Sequence, residues 1–391
     1  MKYKGLTFKY SLINAFFFML VCGTAGYANN FLLAKGFDSS VIGIILTLIS
    51  IIALAGQTGM APVIDRSDKL DEKKFILITL VAAAVCYTLM LFVPDGSFLV
   101  IALVIIGFSV ATMGMPSLNA IAFMYESEGQ KINYGVSRGI GSLAYALSGQ
   151  IIGRLLAWKT ASVLPFYLAI MAVLTLAAVF TLQIPEKKVK KVEVKQEEKQ
   201  ISYGEFFKKY SNLLPVVAAL IMMYFAHMLI NNYMINIIEA IGGTTADQGN
   251  VITLQAMVEL PPMFLFSVIL KKVSVNKLMG FAGIMYAVKH ILIFLAPNTI
   301  VFYGACVLQM FSYAILVPAA VYYATENVGE EDRNKGQAIF GATATIGGLF
   351  ASFCGGFLLK AAGVKTTLLI GAVITAAGAV LMFFSTMKKK A

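Results

Sequence analysis

One carboxylate lies deep inside an apolar stretch of this sequence. Glu259 occurs within a run of roughly 20 apolar residues, the length that spans a membrane, and is followed by Pro261 and Pro262. A carboxylate at that depth is costly unless it faces protein or water, and such residues commonly belong to proton or solute pathways. We therefore predict that Glu259 binds a solute, carries a proton, or does both. The alternative is a structural ion pair with Lys289 or Arg138.

Cationic and titratable side chains accompany this carboxylate. Lys289 and His290 are adjacent in the sequence, so they point about 100° apart on a helix and cannot both face one cavity. His227 lies in the middle of another apolar segment, where its imidazole can titrate near neutral pH or pack as a hydrogen-bonded core residue. Arg138 suits paired recognition of hydroxyls or carboxylates, although an arginine near a helix end can also extend its side chain to the membrane surface.

Amide side chains within the apolar segments are further candidates. Each can bind a solute or join two helices, since polar residues inside membranes do both. The set comprises Asn119, Asn231, Asn232, Gln57, Gln255 and Gln309. We rank Asn119 and Asn231 first as solute ligands. Tyr145 either stacks on a solute ring or fills the core.

The sequence contains no pattern typical of catalytic or cofactor chemistry. The four cysteines all lie within apolar runs, without the spacing of metal ligands or of a disulfide framework. There is no Walker A motif and no visible pairing of a nucleophile with a base. We expect no metal, no cofactor and no enzymatic activity.

Long apolar segments must position these residues. The chain of 391 residues is 59% hydrophobic and 13% charged, and its mean hydropathy is +0.81, far above that of a soluble domain. The pattern indicates twelve membrane-spanning segments, divided six plus six by one long polar stretch. Their approximate bounds are 8–34, 40–61, 75–93, 97–124, 134–157, 161–184, 211–239, 246–270, 275–295, 299–323, 336–360 and 364–385. The predicted fold is an all-α membrane protein of twelve transmembrane helices, with a six-helix bundle over 1–184, a cytoplasmic linker over 185–210 and a second bundle over 211–391.

Basic residues are distributed unevenly between the two sides of these segments. With both termini placed in the cytoplasm, 24 of the 31 lysines and arginines lie on the cytoplasmic side and five on the other. This asymmetry follows the positive-inside rule, so we expect a multi-pass protein of the cell membrane. It also accounts for the net charge of +11 without a nucleic-acid partner.

Two parts of the sequence repeat one another. Ile140-Gly-Ser-Leu in segment 5 matches Ile346-Gly-Gly-Leu in segment 11. Two parallel halves are typical of transporters, which bind solute near the membrane midplane between the repeats. The glycines of segments 5 and 11, including Gly135 and Gly139, are predicted to allow close helix contact.

Several short patches make the chain resemble a known family. They are Tyr134-Gly-x-x-Arg138-x-x-Gly141, His227, the segment around Glu259, and Ala287-Val-Lys289. In these patches the chain resembles the major facilitator superfamily, and within it the lactose permease-like branch, which includes oligosaccharide/proton symporters and phenylpropionate permease-like proteins. The loop after segment 2, with Asp65 and Arg66, is similar to the corresponding loop of that superfamily.

The resemblance implies roles for individual residues. By position, the solute-binding residues are Asn119, Arg138, Tyr145, Asn231, Glu259 and Lys289. It also implies that Glu259, with His227, carries the proton, and that Asp65 and Arg66 form a gate contact. Two positions depart from the family pattern, since Gln309 replaces a histidine and Ser312 replaces the proton-carrying glutamate.

The predicted function is secondary active transport. We expect symport of a small polar solute with a proton, by alternating access between the two sides of the bilayer. A sugar or oligosaccharide is the first expectation for the solute, followed by a nucleoside or a small aromatic acid. The alternative is a proton-driven efflux carrier for a drug or a sugar. We expect the carrier to be a monomer in the lipid bilayer.

Overall fold

Helices account for the regular structure of the chain. The computed structural model describes residues 5–67, 69–125, 129–185 and 201–387, and within these ranges it contains no strand. Eleven helices of the described chain are long and apolar enough to cross a membrane. The last has 55 residues and is interrupted at Gly363, whose φ of 74° is a conformation that favours glycine. It therefore comprises two spans, which gives the twelve expected and confirms the all-α fold class.

The described residues form two compact units. The first holds residues 5–185 together with Thr244–Thr253, and the second holds residues 201–243 and 254–387. The helices of the first unit are α1 (Leu6–Gly26), α2 (Ala28–Ala34), α3 (Ser39–Arg66), α4 (Glu72–Met90), α5 (Phe98–Met113), α6 (Met115–Met124), α7 (Tyr134–Trp158) and α8 (Leu164–Phe180). Those that follow in the chain are α9 (Tyr203–Lys209), α10 (Leu214–Asn232), α11 (Met234–Ala240), α12 (Thr245–Leu270), α13 (Val275–Leu295), α14 (Thr299–Val307), α15 (Tyr313–Asn327) and α16 (Arg333–Met387). Helix α12 begins in the first unit and continues, without interruption at Pro261 or Pro262, into the second.

Several of the predicted segments are interrupted helices. Tyr27 separates α1 from α2, and Tyr233 separates α10 from α11 at the offset of the sequence repeat. Both tyrosines are buried, and each hydroxyl donates to a backbone carbonyl. The hydroxyl of Tyr27 donates to Gly149 at 2.7 Å, and that of Tyr233 donates to Ser352 at 2.5 Å. The internal repeat of the sequence therefore extends to the places where the helices break.

Close helix contact occurs at glycines other than the predicted pair. A Cβ added at Gly139 would meet no described atom within 4 Å, and one at Gly135 would meet only the side chain of Asn133. The prediction that these two glycines allow close contact is therefore wrong. The wider prediction for the glycines of segments 5 and 11 is confirmed at Gly153 and Gly347, where an added Cβ would collide with backbone atoms of a neighbouring helix. Gly249 of α12 makes an equally close approach to α7.

A short helix near the end of the predicted linker packs on the second unit. Phe206 of α9 is fully buried in the apolar core of that unit. Nζ of Lys209 donates to Asp332 and to Glu331, at 2.8 Å each, and the hydroxyl of Tyr210 donates to Asp332 at 3.0 Å. Asp332 and Glu331 raise the pKa of Lys209 above its ordinary value. Lys209 in turn lowers the pKa of Asp332. The stabilising contact is therefore present at neutral pH, and it is lost as the pH rises through the raised pKa of Lys209 or falls through the lowered pKa of Asp332.

Asp332→Asn is expected to loosen α9 from the second unit. The Asp332 side chain is 7% exposed and accepts from both Lys209 and Tyr210, so its loss should speed amide hydrogen exchange across Tyr203–Lys209 several-fold. Glu331→Gln is the matched control, because Glu331 is 60% exposed and an exposed ion pair contributes little. Equal exchange in the two variants would show that Asp332 does not hold the helix.

Candidate functional site

An amide connects the predicted site carboxylate to a buried ammonium group in the second unit. Nε2 of Gln309 donates to Oε1 of Glu259 at 2.8 Å, and Nζ of Lys289 donates to Oε1 of Gln309. Lys289 is fully buried and Gln309 is nearly so, whereas Glu259 is half-buried. The two opposite charges are therefore separated by one neutral side chain. We call Glu259, Gln309 and Lys289 the amide bridge.

Three elements position the amide bridge. Glu259 lies on α12 and Lys289 on α13, while Gln309 lies in a 3-10 turn, Leu308–Met310, between α14 and α15. A 3-10 stretch within a longer helix often marks a functional hinge. Reversing the amide of Gln309 would set its NH₂ group against the ammonium and its carbonyl against the carboxylate. The two charges therefore fix which end of the amide faces which partner.

A histidine with aromatic neighbours lies near the amide bridge. His227 packs against Tyr286, which precedes Lys289 by three residues on α13. Nδ2 of Asn231 donates to Nε2 of His227 at 3.0 Å, which leaves the proton of the neutral ring on Nδ1. The ring stacks on that of Tyr313, with 4.7 Å between centroids, and meets the edge of the Tyr286 ring at 6.1 Å. Nδ1 of His227 and the hydroxyl of Tyr286 are buried without a hydrogen-bond partner among the described residues, so this cluster has unused polar capacity.

Lys289 and His290 have different partners, as their adjacency on one helix requires. Nδ1 of His290 donates to the backbone carbonyl of Tyr286 at 2.7 Å. The His290 ring also stacks on the Tyr286 ring, with 5.7 Å between centroids. His290 is thus engaged with its own helix, while Lys289 belongs to the amide bridge.

The predicted solute ligands of the first unit lie on α6 and α7. The guanidinium of Arg138 lies 4.0 Å from the centroid of the Phe18 ring. Oδ1 of Asn119 accepts a hydrogen bond from the hydroxyl of Tyr134 at 3.3 Å. Tyr145 lies two turns along α7 from Arg138, and like Arg138 and Asn119 it is half-buried. Each of the three is partly accessible, and their role in solute binding stays a prediction.

Some of the predicted polar residues lie elsewhere or join helices. Asp65 and Arg66 are exposed in the last turn of α3, and their gate contact stays a prediction. Gln57 donates to the backbone carbonyl of Thr112 at 3.1 Å. Asn232 donates to the hydroxyl of Ser352 at 2.8 Å. Among the described residues, no group of three His, Cys, Asp or Glu side chains could hold a metal ion.

Sequence reasoning underestimated Gln309. It ranked Asn119 and Asn231 above this residue and treated Gln309 mainly as a departure from the family pattern. The sequence signal was the position of Gln309, because it stands in a transmembrane span where the resembling family has a histidine. Tyr286 and Tyr313 gave no such signal, since tyrosines are frequent in this chain, which has 17 of them.

The chain matches a known family over nearly its whole length. The MFS_1 like family covers residues 7–370. The chain belongs to the MFS_1 like family. No curated protein matches this family member by sequence.

Solved structures of transporters resemble this MFS_1 like family member. The nucleoside transporter NupG has a TM-score of 0.80 and 14% identity, over 98% of this chain and 100% of that one. A bacterial homolog of the human lysosomal transporter Spinster has a TM-score of 0.70 and 12% identity, over 97% of this chain and 96% of that one. A variant of the peptide transporter POT has a TM-score of 0.71 and 11% identity, over 96% of this chain and 93% of that one. At these identities the similarity shows the fold.

Family and fold together establish the class of protein. This MFS_1 like family member is a secondary transporter of the major facilitator type and a multi-pass membrane protein, and it is not an enzyme. The predicted superfamily is thereby confirmed. The lactose permease-like branch stays a prediction.

Proposed function

We propose that this transporter is a proton-coupled symporter of a small polar solute. The supporting observation is the amide bridge, in which a half-buried carboxylate is linked to a fully buried ammonium group through Gln309. A carboxylate in that position can be neutralised by a proton when the surrounding site closes and excludes water. When Glu259 loses the proton, the charge of Lys289 stabilises the carboxylate that remains. Glu259 therefore alternates between two charge states during transport.

The solute is a small molecule with several polar groups. A sugar or oligosaccharide is our first choice, because amide, carboxylate and guanidinium groups suit hydroxyl recognition. A nucleoside or a small aromatic acid is next, and NupG, a protein of the same fold, is a nucleoside transporter. We place the carrier in the cell membrane as a monomer, with both termini in the cytoplasm.

Glu259→Gln is expected to abolish solute-driven proton movement. The glutamine keeps the shape of the side chain but cannot take up or release a proton at neutral pH. Proteoliposomes containing a pH-sensitive dye should therefore show proton flux with the wild type when lactose, uridine or 3-phenylpropionate is added, and none with the variant. Exchange of labelled solute between the two sides, which needs no net proton movement, should continue.

Glu239→Gln is the matched control for this measurement. Glu239 lies in the same unit on α11 and is exposed, outside the amide bridge. Its replacement should leave the proton flux at the wild-type rate. Continued solute-driven proton flux in Glu259→Gln would rule out Glu259 as the proton carrier, and solute movement opposite to the proton would favour the efflux alternative.

A further inference from the structure

An aromatic ring of α1 lies against the guanidinium of Arg138 on α7. The central carbon of that guanidinium lies over the Phe18 ring, 4.0 Å from the ring centroid. The face of an aromatic ring carries negative charge and attracts a cation placed over it, more strongly where water is excluded. Phe18 is buried and Arg138 is half-buried. The contact is therefore partly shielded from water, while the Arg138 side chain is still partly accessible.

A glycine of α7 makes room for this ring. Gly141 follows Arg138 by three residues, so both lie on one face of α7. A Cβ added at Gly141 would lie 2.7 Å from Cδ2 of Phe18, so the ring would have to move. The ring therefore rests against the backbone of α7 beside the arginine. The Arg138-x-x-Gly141 spacing in the sequence thus allows the ring to reach the guanidinium.

Hydrogen bonds between α1 and α7 hold the two backbones beside this pair. Oγ of Ser11 and Oγ of Ser137 are 2.9 Å apart, and Ser137 directly precedes the arginine. Oγ of Ser148 donates at 3.1 Å to the backbone carbonyl of Met19, which directly follows the phenylalanine. Both helices are thus fixed next to the two residues, which favours one relative position of ring and guanidinium.

The contact with the ring uses none of the N–H donors of Arg138. A guanidinium has five N–H groups that point outward in its plane, whereas the ring interacts with its face. One of these groups, on Nη1, is directed at Oγ of Ser142 at 3.4 Å. A carboxylate in place of the ring would instead accept two of them in a paired hydrogen bond. Phe18 therefore stabilises the charge of Arg138 without itself occupying the edge of the guanidinium.

We propose that Phe18 is a positioning residue for solute binding: its ring orients the guanidinium of Arg138 so that the guanidinium edge donates to two neighbouring oxygens of the solute. This inference rests on the proposed function, in which a guanidinium recognises the solute. Two adjacent hydroxyls of a sugar or a ribose, or the two oxygens of a carboxylate, match such an edge. Phe18 acts through Arg138, because a side chain that is already oriented loses less freedom when the solute binds.

Fluorinated phenylalanines in place of Phe18 test the contact with the ring face. Each added fluorine withdraws negative charge from the face and changes the shape of the ring little, so attraction of a cation falls in steps. The series is phenylalanine, 4-fluorophenylalanine and 3,4,5-trifluorophenylalanine, and the purified, full-length carrier is titrated with lactose, uridine and 3-phenylpropionate. Affinity for at least one probe should fall stepwise, by about fivefold over the series. A role in packing alone predicts no such trend.

Phe17 provides the matched control for this series. It is the neighbouring residue on α1, it is also buried, and it points about 100° away from Phe18 around the helix. The same fluorinated residues in place of Phe17 should leave the affinity for each probe unchanged.

A second measurement follows Arg138 without any solute. Phenylglyoxal modifies arginine side chains, and mass spectrometry of the digested carrier gives the rate at Arg138. Modification should become several-fold faster across the series at position 18 and in Gly141→Ala, because the ring then holds the guanidinium less firmly. Gly139→Ala should keep the wild-type rate, since its added methyl group meets no described atom within 4 Å. Gel filtration shows beforehand that each variant is folded.

The outcomes separate this inference from the proposed function. Affinity that stays constant across the series at position 18, or that falls equally at position 17, overturns the role of Phe18. A modification rate that stays constant overturns the contact itself, and failure of all three probes to bind overturns recognition of paired oxygens. Solute binding needs no proton movement, so a fluorine trend without solute-driven proton flux removes symport and leaves the role of Phe18 intact.

Discussion

Glu259→Gln is expected to lower the free energy of unfolding by about 3 kcal/mol, and adding Lys289→Met is expected to restore most of that loss. Removing one member of a buried pair of charges leaves the other uncompensated, whereas removing both does not. Lys289 is fully buried, so water does not solvate its charge. The amide bridge connects that charge to the carboxylate of Glu259. Methionine matches the length of lysine closely and leaves no charge to be stabilised.

Thermal unfolding of the purified carrier in detergent measures this pair of effects. The four proteins of the cycle are the wild type, the two single variants and the double variant, and their comparison gives the coupling between the two charges. Lys289→Met alone should cost less than Glu259→Gln, because Glu259 is half-buried and can take up a proton. Additive losses in the double variant would show that the amide bridge does not couple the charges.

The sequence was sufficient to predict the spans and to single out Glu259, whose role in solute or proton binding stays a prediction. The length of an apolar run can be read from the local sequence alone. The predicted segment 275–295 therefore agrees with α13 at both ends. Glu259 could be recognised because the cost of a carboxylate in an apolar segment does not depend on its neighbours. The same reasoning applies to Lys289, which is fully buried.

The partners of these residues could not be predicted from the sequence. Whether Lys289 reaches Glu259 directly or through Gln309 depends on how three helical segments pack, and on the 3-10 turn at Leu308–Met310. The close contact expected at Gly135 and Gly139 failed for a similar reason, although other glycines of the same segments do make one. The spacing of Gly135 and Gly139 permits close approach, but only packing decides which glycines another helix approaches.

Gly249→Ala is expected to displace the first turns of α12 from α7 and to stop the transport cycle. A Cβ at Gly249 would lie 2.4 Å from the backbone oxygen of Gly149, and one at Gly153 would lie 2.6 Å from that of Thr245. Backbone atoms cannot rotate away as side chains do, so one added methyl group must move a helix. Overpacking of this kind costs about 1–3 kcal/mol.

Polar contacts around these glycines would be lost together with the close approach. Gln248 accepts from Asn30 at 2.7 Å and donates to the carbonyl of Gly26 at 2.7 Å, and Gln150 donates to Asn250 at 3.0 Å. Amide exchange across Thr245–Thr253 should therefore become at least about tenfold faster in Gly249→Ala, with solute binding retained and net uptake lost. Gly139→Ala is the matched control on α7, because its added methyl group meets no described atom within 4 Å. Wild-type uptake and wild-type exchange in Gly249→Ala would mean that this close approach plays no part in transport.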